Sequence, residues 1–436
     1  MRIAVIGLGK LGAPLAAVLA AAGHDVFGVD RNPKFVADVN AGIAPVQEPR
    51  LQEFIDRTDG RLQASSNIVE AVKASDATMV IVPTPSGADG AFSNRFVLDA
   101  IAEVGAALKA VDRPHLVNIV STVMPGSCDG DIRSALEAAS GRRVGGGLSL
   151  CYNPEFIALG CVIDNMLRPD LVLIGESDET GGATLEGIHR SYLENDPAVQ
   201  RMSLINAEIA KISINAYVTM KISFANGLAE ICEALPGADA AVVSAAVGKD
   251  RRIGGSYMRG ALGFGGPCFP RDGRAFMNLA QSAGTQADLA EATQAINQRQ
   301  IDRIIARAER LAPGGGIAVL GLAYKPDTPV IEESQGVAIA LGLAQRGRMV
   351  RVHDPLVGST EAQQALGDQV LVSASLKETL AGASAAVVAT AWDGYADIGQ
   401  LVGELSERVV VLDCWGKVRP SVSLDVHRIG RDGAIQ

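Results

Sequence analysis

The first thirty residues constrain the fold more than any other stretch of the chain. RIAVIG is an apolar strand, GLGKLGAPLAAVLAAAG is a glycine turn opening a helix that Gly23 closes, and HDVFGVD is a second strand. A unit of about thirty residues in that order has the size of a βαβ crossover, which makes the two strands parallel. Gly7, Gly9 and Gly12 stand as G-x-G-x-x-G where the first strand meets the helix, and Asp30 closes the second strand. Glycines there let the backbone turn tightly and come close to a pyrophosphate, the helix N-terminus offers N–H donors, and the carboxylate accepts hydrogen bonds from ribose hydroxyls. The combination predicts a bound dinucleotide, and the acid favours NAD over NADP. Arg31 pulls the other way, because an arginine at that edge pairs with a 2′-phosphate.

Later apolar runs (ATMVIV, HLVNIVST, LSLCYNP, DLVLIG) predict further buried parallel strands to about residue 200. From about Ser203 to Leu235 the pattern becomes helical, with no proline and one glycine, Gly227. Unbroken, that helix would be about 45 Å long, too long for a crossover and suited to linking domains or forming a dimer interface. Two shorter helices broken at Gly227 are the plainer alternative. A second helical region, QADLAEATQAINQRQIDRIIARAERLA, ends at PGGG. Beyond it GIAVLGLAYKPDT, a helix to Gly347, MVRVHDP, SAAVVAT and RVVVLDC form a second α/β unit that echoes the first in architecture, with no residue-level repeat. The expected fold is α/β: two Rossmann-like doubly wound parallel-sheet domains, joined by a long central helix and a helical middle domain. The boundaries fall at 1–202, 203–312 and 313–436.

Composition narrows the partners. The chain has 436 residues, 48% hydrophobic and 20% charged, with a net charge of −10. Several cores are affordable, disorder is excluded, and with no run of five like charges neither nucleic acid nor an anionic membrane is the expected partner. The N-terminal apolar stretch is short and interrupted by glycine, so it reads as neither signal peptide nor membrane span, and a cytoplasmic protein is expected. Six cysteines without a C-x-x-C pair, and histidines without ligand spacing, argue against a disulfide framework and against a metal site.

Two constellations carry possible chemistry. GALGFGGPCFPRDGRAF surrounds Cys268 with glycines and prolines, in a segment expected to be neither helix nor central strand, and Asp272 follows four positions later. A thiol beside a nicotinamide suits covalent aldehyde oxidation through a thiohemiacetal and a thioester; a buried structural cysteine is the alternative. On the long helix Lys211 and Asn215 are four apart, hence neighbours on one face. Apolar flanks bury the lysine at least partly, which costs free energy unless an anion or alkoxide meets it; a snorkelling lysine is the bland reading.

With these residues in view, the chain resembles the nucleotide-sugar dehydrogenases, the family of UDP-glucose and GDP-mannose 6-dehydrogenases. The likeness runs nearly end to end through GLGKLG, PTP at Pro83 to Pro85, STVMPG at Ser121 to Gly126, NPEF at Asn153 to Phe156, RPDLVLIG, AEIAKISINAYVTMKISFAN, GFGGPCFPRD, GLAYKPDT and ATAWDGY. It implies oxidation of a sugar C6 alcohol to the carboxylate with two NAD⁺, through a cysteine thioester, in a homodimer or higher homo-oligomer. The first domain would then bind NAD, the middle one would dimerise and carry the cysteine loop, and the last would hold the nucleotide sugar.

By the same resemblance Cys268 is the nucleophile, Lys211 and Asn215 stabilise alkoxide and oxyanion, Asp272 with Thr122 orients a water, and Glu155 assists thioester hydrolysis. The cofactor would meet Gly7, Gly9, Lys10, Leu11, Gly12 and Asp30, then Thr84, Pro85, Ser121, Thr122 and Arg271. The sugar nucleotide would meet Glu155, Phe156, Lys211 and Asn215 together with Tyr257, Arg259, Phe264, Gly265 and Lys325, and Arg252 would reach across the dimer.

Departures from the family pattern are Leu159 for a second glutamate, Pro329, Val330 and Glu332 in the stretch that usually reads T-D-D-I-R-E-S-P, Lys10 for a tyrosine, and Gly227 for a glutamate. Because positions 159 and 332 normally touch NAD, weaker or differently oriented NAD binding is expected, with the chemistry retained. The base and the hexose stay open among UDP-glucose, GDP-mannose and N-acetylhexosamine types. β-Hydroxyacid dehydrogenases share the first unit and a Lys-x-x-x-Asn helix, but lack the C-terminal lobe and need no cysteine. A non-catalytic nucleotide-sugar-binding protein with this fold is the remaining alternative.

Overall fold

A computed structural model describes residues 1–405, 407–432 and 434–435. The chain divides into two compact units, 1–213 and 214–436.

The first unit is built on β1 (Arg2–Ile6), β2 (Asp25–Val29), β3 (Leu62–Ser65), β4 (Ala77–Val80), β5 (His115–Ile119), β6 (Leu148–Tyr152), β7 (Leu171–Glu176) and β8 (Ala198–Ser203). They form one eight-stranded sheet in the order β3-β2-β1-β4-β5-β6-β7-β8. The chain reverses direction about β1, between β2 and β4, which opens a crevice at the carboxyl ends of β1 and β4 where such sheets bind ligands. β1, β4 and β5 are buried along almost their whole length because helices cover both faces, so their sequences are continuous apolar runs. The expectation of parallel strands throughout is corrected at one place: β7 runs antiparallel to β6, and β8 is parallel to β7. An apolar run buried on both faces carries no mark of its direction, so the sequence had no signal for this reversal.

Helix α1 (Gly12–Ala21) follows the glycine turn and is buried from Gly12 to Ala20. Helix α2 (Glu179–Arg190) is capped by Asp178, whose side chain accepts from the Gly181 N–H. Helix α3 (Leu204–Glu233) is one continuous helix through Gly227, beginning in the first unit and ending in the second.

The second unit continues with α4 (Ala240–Val247), α5 (Phe269–Ser282) and α6 (Asp288–Leu311). Its sheet comprises β9 (Gly316–Leu320), β10 (Val350–His353), β11 (Val370–Val372), β12 (Ala383–Val388), β13 (Val409–Asp413), β14 (Leu424–Arg428) and the two-residue β15 (Ala434–Ile435). The order is β11-β10-β9-β12-β13-β14-β15, parallel except for β15. The first six strands of each sheet therefore share one order of connection.

The echo extends to single residues, contrary to the sequence reading. Gly7 and Gly321 both take positive φ, 102° and 104°, and each donates its N–H to the strand beside it, at Val29 O (2.7 Å) and His353 O (2.8 Å). A Cβ on Gly12 would sit 1.8 Å from Gly7 O, and one on Gly336, which lies in the first turn of α7 (Gln335–Gln345), 2.2 Å from Gly321 O. Asp30 and Asp354 follow β2 and β10, and each accepts backbone N–H groups from its turn. The repeat was hidden because five positions separate the first pair of glycines and fifteen the second. Among the described residues no helix is long and apolar enough to cross a membrane.

Candidate active site

In the first unit the glycine turn fits a dinucleotide. The close approach at Gly12 admits no side chain, and a Cβ on Gly7 would meet Ile81 O at 2.1 Å, so the turn packs directly on the exit of β4. Gly9 has open space where its side chain would be, and Leu11, at the cap of α1, supplies no side-chain cap. The helix N-terminus is thus left open to an anion. Asp30 is fixed by N–H donors from Leu8 and Asn32, both at 2.7 Å. Arg31 is exposed and pairs with Glu103 at 3.3 Å, while Lys10 is exposed beside the turn.

The loops after β4 and β5 are stapled together. Ser121 Oγ donates to Val82 O (2.7 Å) and accepts the Val82 N–H (2.8 Å), and Thr84 Oγ1 donates to Thr122 O (2.8 Å). Pro85 is exposed on the same segment. A residue the sequence reading passed over, Glu208 on α3, is fully buried and accepts from Gly126 N (2.7 Å) and Cys128 N (2.8 Å). It ties the loop carrying Ser121 and Thr122 to the helix three residues before Lys211. The only signal was a glutamate inside an apolar helical run.

Lys211 is 6% exposed. Its Nζ donates to Glu155 O at 2.7 Å and stands 4.5 Å from the centre of the Phe156 ring. The lysine expected from its neighbours to be at least half buried is buried, and it is held on the NPEF segment. Burial pushes the Glu155 carboxyl up to about 7, against the opposing pull of the Lys211 ammonium. Leu159 packs at the edge of the first unit's core, and Glu48 holds the adjoining loop by accepting from Gly160 N and Val162 N.

In the second unit the segment around Cys268 corrects an expectation: it runs into a helix. Cys268 is exposed at the N-cap of α5, and Pro270 sits in the first turn, where a missing N–H costs nothing. Asp272, only 1% exposed, donates its N–H to Cys268 O (2.8 Å) and accepts from Asn215 Nδ2 at 2.6 Å. Arg271 pairs with it at 3.4 Å. One helical turn thus carries an accessible thiol and a buried carboxylate, and α3 supplies an amide to that carboxylate.

The glycine loop before Cys268 is held by amide side chains. Asn226 bonds Ala261 N and Leu262 O, Asn297 bonds both polar groups of Phe264, Gln300 bonds Ala261 O and Gln335 bonds Phe264 O. A Cβ on Gly265 would lie 2.3 Å from Glu333 O, so the loop's bareness serves close packing. Tyr257, half exposed, meets the Phe269 ring edge-on at 6.1 Å. Arg259 donates to Trp415 O, Lys325 is partly buried, and Glu332 is exposed. Arg252 is 87% exposed and pairs with its near neighbour Asp250, apart from this cluster.

The two units thus bear a dinucleotide turn and a cysteine–carboxylate–amide cluster, the equipment of a nicotinamide-dependent oxidoreductase. Sequence models of the UDP-glucose/GDP-mannose dehydrogenase family match residues 1–193 (NAD binding domain), 205–299 (central domain) and 318–420 (UDP binding domain). The chain is 36% identical over 416 residues to UDP-glucose 6-dehydrogenase AglM of Haloferax volcanii, covering 94% of this chain and 96% of that protein. It is 32% identical to GDP-mannose 6-dehydrogenase of Pseudomonas putida, covering 81% of each. A solved UDP-glucose dehydrogenase from Pyrobaculum islandicum, 34% identical, superimposes with a TM-score of 0.88 over 99% of this chain and 98% of that one. The chain belongs to the UDP-glucose/GDP-mannose dehydrogenase family and is an NAD-dependent oxidoreductase.

Proposed function

We propose that this chain oxidises the C6 alcohol of a nucleotide-activated hexose, of the UDP-glucose or GDP-mannose kind, to the uronic acid, with Cys268 holding the sugar between the two oxidations. The observation that carries the reading is the first turn of α5, where exposed Cys268 precedes buried, Asn215-bonded Asp272. The relatives' activities support it. NAD⁺, when bound, supplies the two-electron acceptor, used twice per carboxylate.

In this reading Asp272 takes the proton as the alcohol is oxidised, with Thr122 holding a water, while Lys211 and Asn215 stabilise the negative oxygen. The Cys268 thiolate adds to the aldehyde carbon, and the resulting thiohemiacetal alkoxide gives up a hydride to the second acceptor to become a thioester. Water, deprotonated by Glu155, displaces the sulfur and leaves a carboxylate and a thiol. Arg259, Phe264, Gly265, Tyr257 and Lys325 hold the nucleotide sugar. Incubation with NAD⁺ and a panel of UDP- and GDP-hexoses, including N-acetylated ones, with the product mass followed, tests this. A uronic acid from at least one sugar is expected, and inertness toward all of them would overturn the reading.

Glu155 gives this scheme a pH signature. A base must be ionised, and its carboxyl, raised to about 7 by burial, is mostly neutral below that pH. Thioester hydrolysis is expected to accelerate about tenfold per pH unit on the acid side and to level off above pH 7. Single-turnover decay of the acyl-enzyme checks this; a limb near the ordinary glutamate value of 4.5 would remove Glu155 from the role.

The second unit supports a homodimer or higher homo-oligomer. Tyr217, Phe224 and Ile231 recur every seven residues on α3 and are all more than half exposed, as is Val242 on α4. Such a stripe suits a helical partner. Arg252, exposed and outside the loop cluster, would reach into a neighbouring copy. Phe224→Asp is expected to lower the mass in sedimentation; a wild-type protein already monomeric at micromolar concentration would contradict the assembly.

A further inference from the structure

Behind Glu155 lies a buried chain of side chains whose proton directions are determined. Asn153 opens the NPEF segment and is tied to the sheet by its own N–H, which donates to Ile119 O at 2.9 Å. Its Nδ2 donates to Leu173 O at 2.9 Å. A carbonyl only accepts, so the other end of the amide, Oδ1, faces His189 Nε2 at 2.8 Å, and that nitrogen must carry the proton. His189 Nδ1 is then bare and accepts from Tyr192 O–H at 2.5 Å. Every member has one consistent role, and His189 and Tyr192 are both buried.

We propose that His189 and Tyr192 are positioning residues for Glu155: neutral His189, held in its Nε2–H form by Tyr192, locks Asn153 and so fixes the carboxyl two residues further on. The proposal rests on the role given to Glu155 above. The segment is pinned at both ends, by His189 on Asn153 and by Lys211 on the carbonyl of Glu155. Releasing one end lets the carboxyl swing toward water.

The chain suits this task because it stays neutral. Burial lowers the His189 imidazole to about 4, so it remains unprotonated across the working range. Burial, with the charge of Glu155 second, holds the Tyr192 phenol well above its ordinary value, so it remains a donor. Besides burial, the Lys211 ammonium acts on the Glu155 carboxyl, the Glu155 charge acts on the Tyr192 phenol, and burial sets the His189 imidazole. Neither His189 nor Tyr192 is assigned contact with the reacting atoms; both act through Asn153.

The test compares His189→Leu, which removes the donor, with His189→Gln, whose amide can still donate to Asn153 in similar volume. The first readout needs no turnover: infrared titration of the Glu155 carboxyl band, assigned with Glu155→Gln. In H189L the midpoint should fall from about 7 toward 4.5, and in H189Q it should stay near that of the wild type. The second readout is acyl-enzyme hydrolysis, expected to slow about 10- to 100-fold in H189L, with the KM for NAD⁺ unchanged, and to recover in H189Q. Tyr192→Phe, which removes one hydroxyl, should shift both in the same direction and serves if H189L does not fold. Equal behaviour of H189L and H189Q, or an unmoved midpoint in Y192F, would overturn the proposal. A wild-type protein inert toward every sugar nucleotide would overturn the function instead, since the infrared midpoint reads Glu155 either way.

Discussion

Cys268→Ser is expected to lower uronic acid formation by about 10⁴-fold or more while leaving binding of NAD⁺ and sugar nucleotide intact. The scheme needs a nucleophile ionised near neutral pH that leaves readily when water attacks the acyl carbon. A thiolate meets both demands, and a serine hydroxyl, un-ionised near neutral pH and a poor leaving group as alkoxide, meets neither. Position adds to the argument: Cys268 is exposed at the N-terminus of α5, where the aligned peptide dipoles favour negative charge. The five other cysteines are not equivalent. Burial pushes the thiols of Cys128, Cys151 and Cys414 up, Cys232 is buried in the small cluster beside α4, and exposed Cys161 precedes a helix of only six residues. Product mass and acid yield after hours with excess C268S check the claim, and acid at the wild-type rate would eliminate the thioester route.

Asp272→Asn is expected to cost about 10²- to 10⁴-fold in kcat with little change in KM, the range for loss of a positioned proton acceptor. The replacement has the same shape but does not take up a proton. Its amide oxygen can still accept from Asn215 Nδ2, but without the negative charge that the carboxylate brings to that 2.6 Å contact. Because Asp272 is 1% exposed, buffer bases have little route to substitute for it. A loss confined to KM would identify Asp272 as a binding group and not as the acceptor. Steady-state kinetics with saturating NAD⁺ separates the two outcomes.

Much of this arrangement was legible in the sequence because it rests on local rules. The strand, glycines and acid at Gly7 to Asp30 specify a turn with little freedom, and the structure places each as expected. The long helix was legible too, and it passes Gly227 unbroken, since one glycine costs about 1 kcal/mol in an otherwise favourable run. Helix α5 was misread because Pro270 and Gly273 look like breakers. In the structure Pro270 occupies the first turn, and Gly273 answers a packing demand, since a Cβ there would stand 2.6 Å from the Gln294 amide.

What the sequence hid was long-range. Glu208 meets residues about eighty positions away, and Asn153 meets His189 thirty-six positions on. No spacing rule connects such pairs, and each residue alone is unremarkable. The second glycine turn was hidden by its longer loop. Its acid has also been diverted: Asp354 accepts from Leu322, Ala323, Leu356 and Val357 N–H groups and from the Trp392 indole, where Asp30 takes two backbone donors. A carboxylate with five donors is occupied by its own fold.

In the proposed reaction one chain carries an alcohol through two successive oxidations without releasing the aldehyde. The ratio of NADH formed to sugar carboxylate formed, measured on the wild-type protein with whichever nucleotide sugar it accepts, tests this sequence of oxidations. Two NADH per carboxylate are expected from the first turnover onward, with no free aldehyde trapped by an added amine. One NADH per sugar, with the aldehyde recovered in solution, would contradict it.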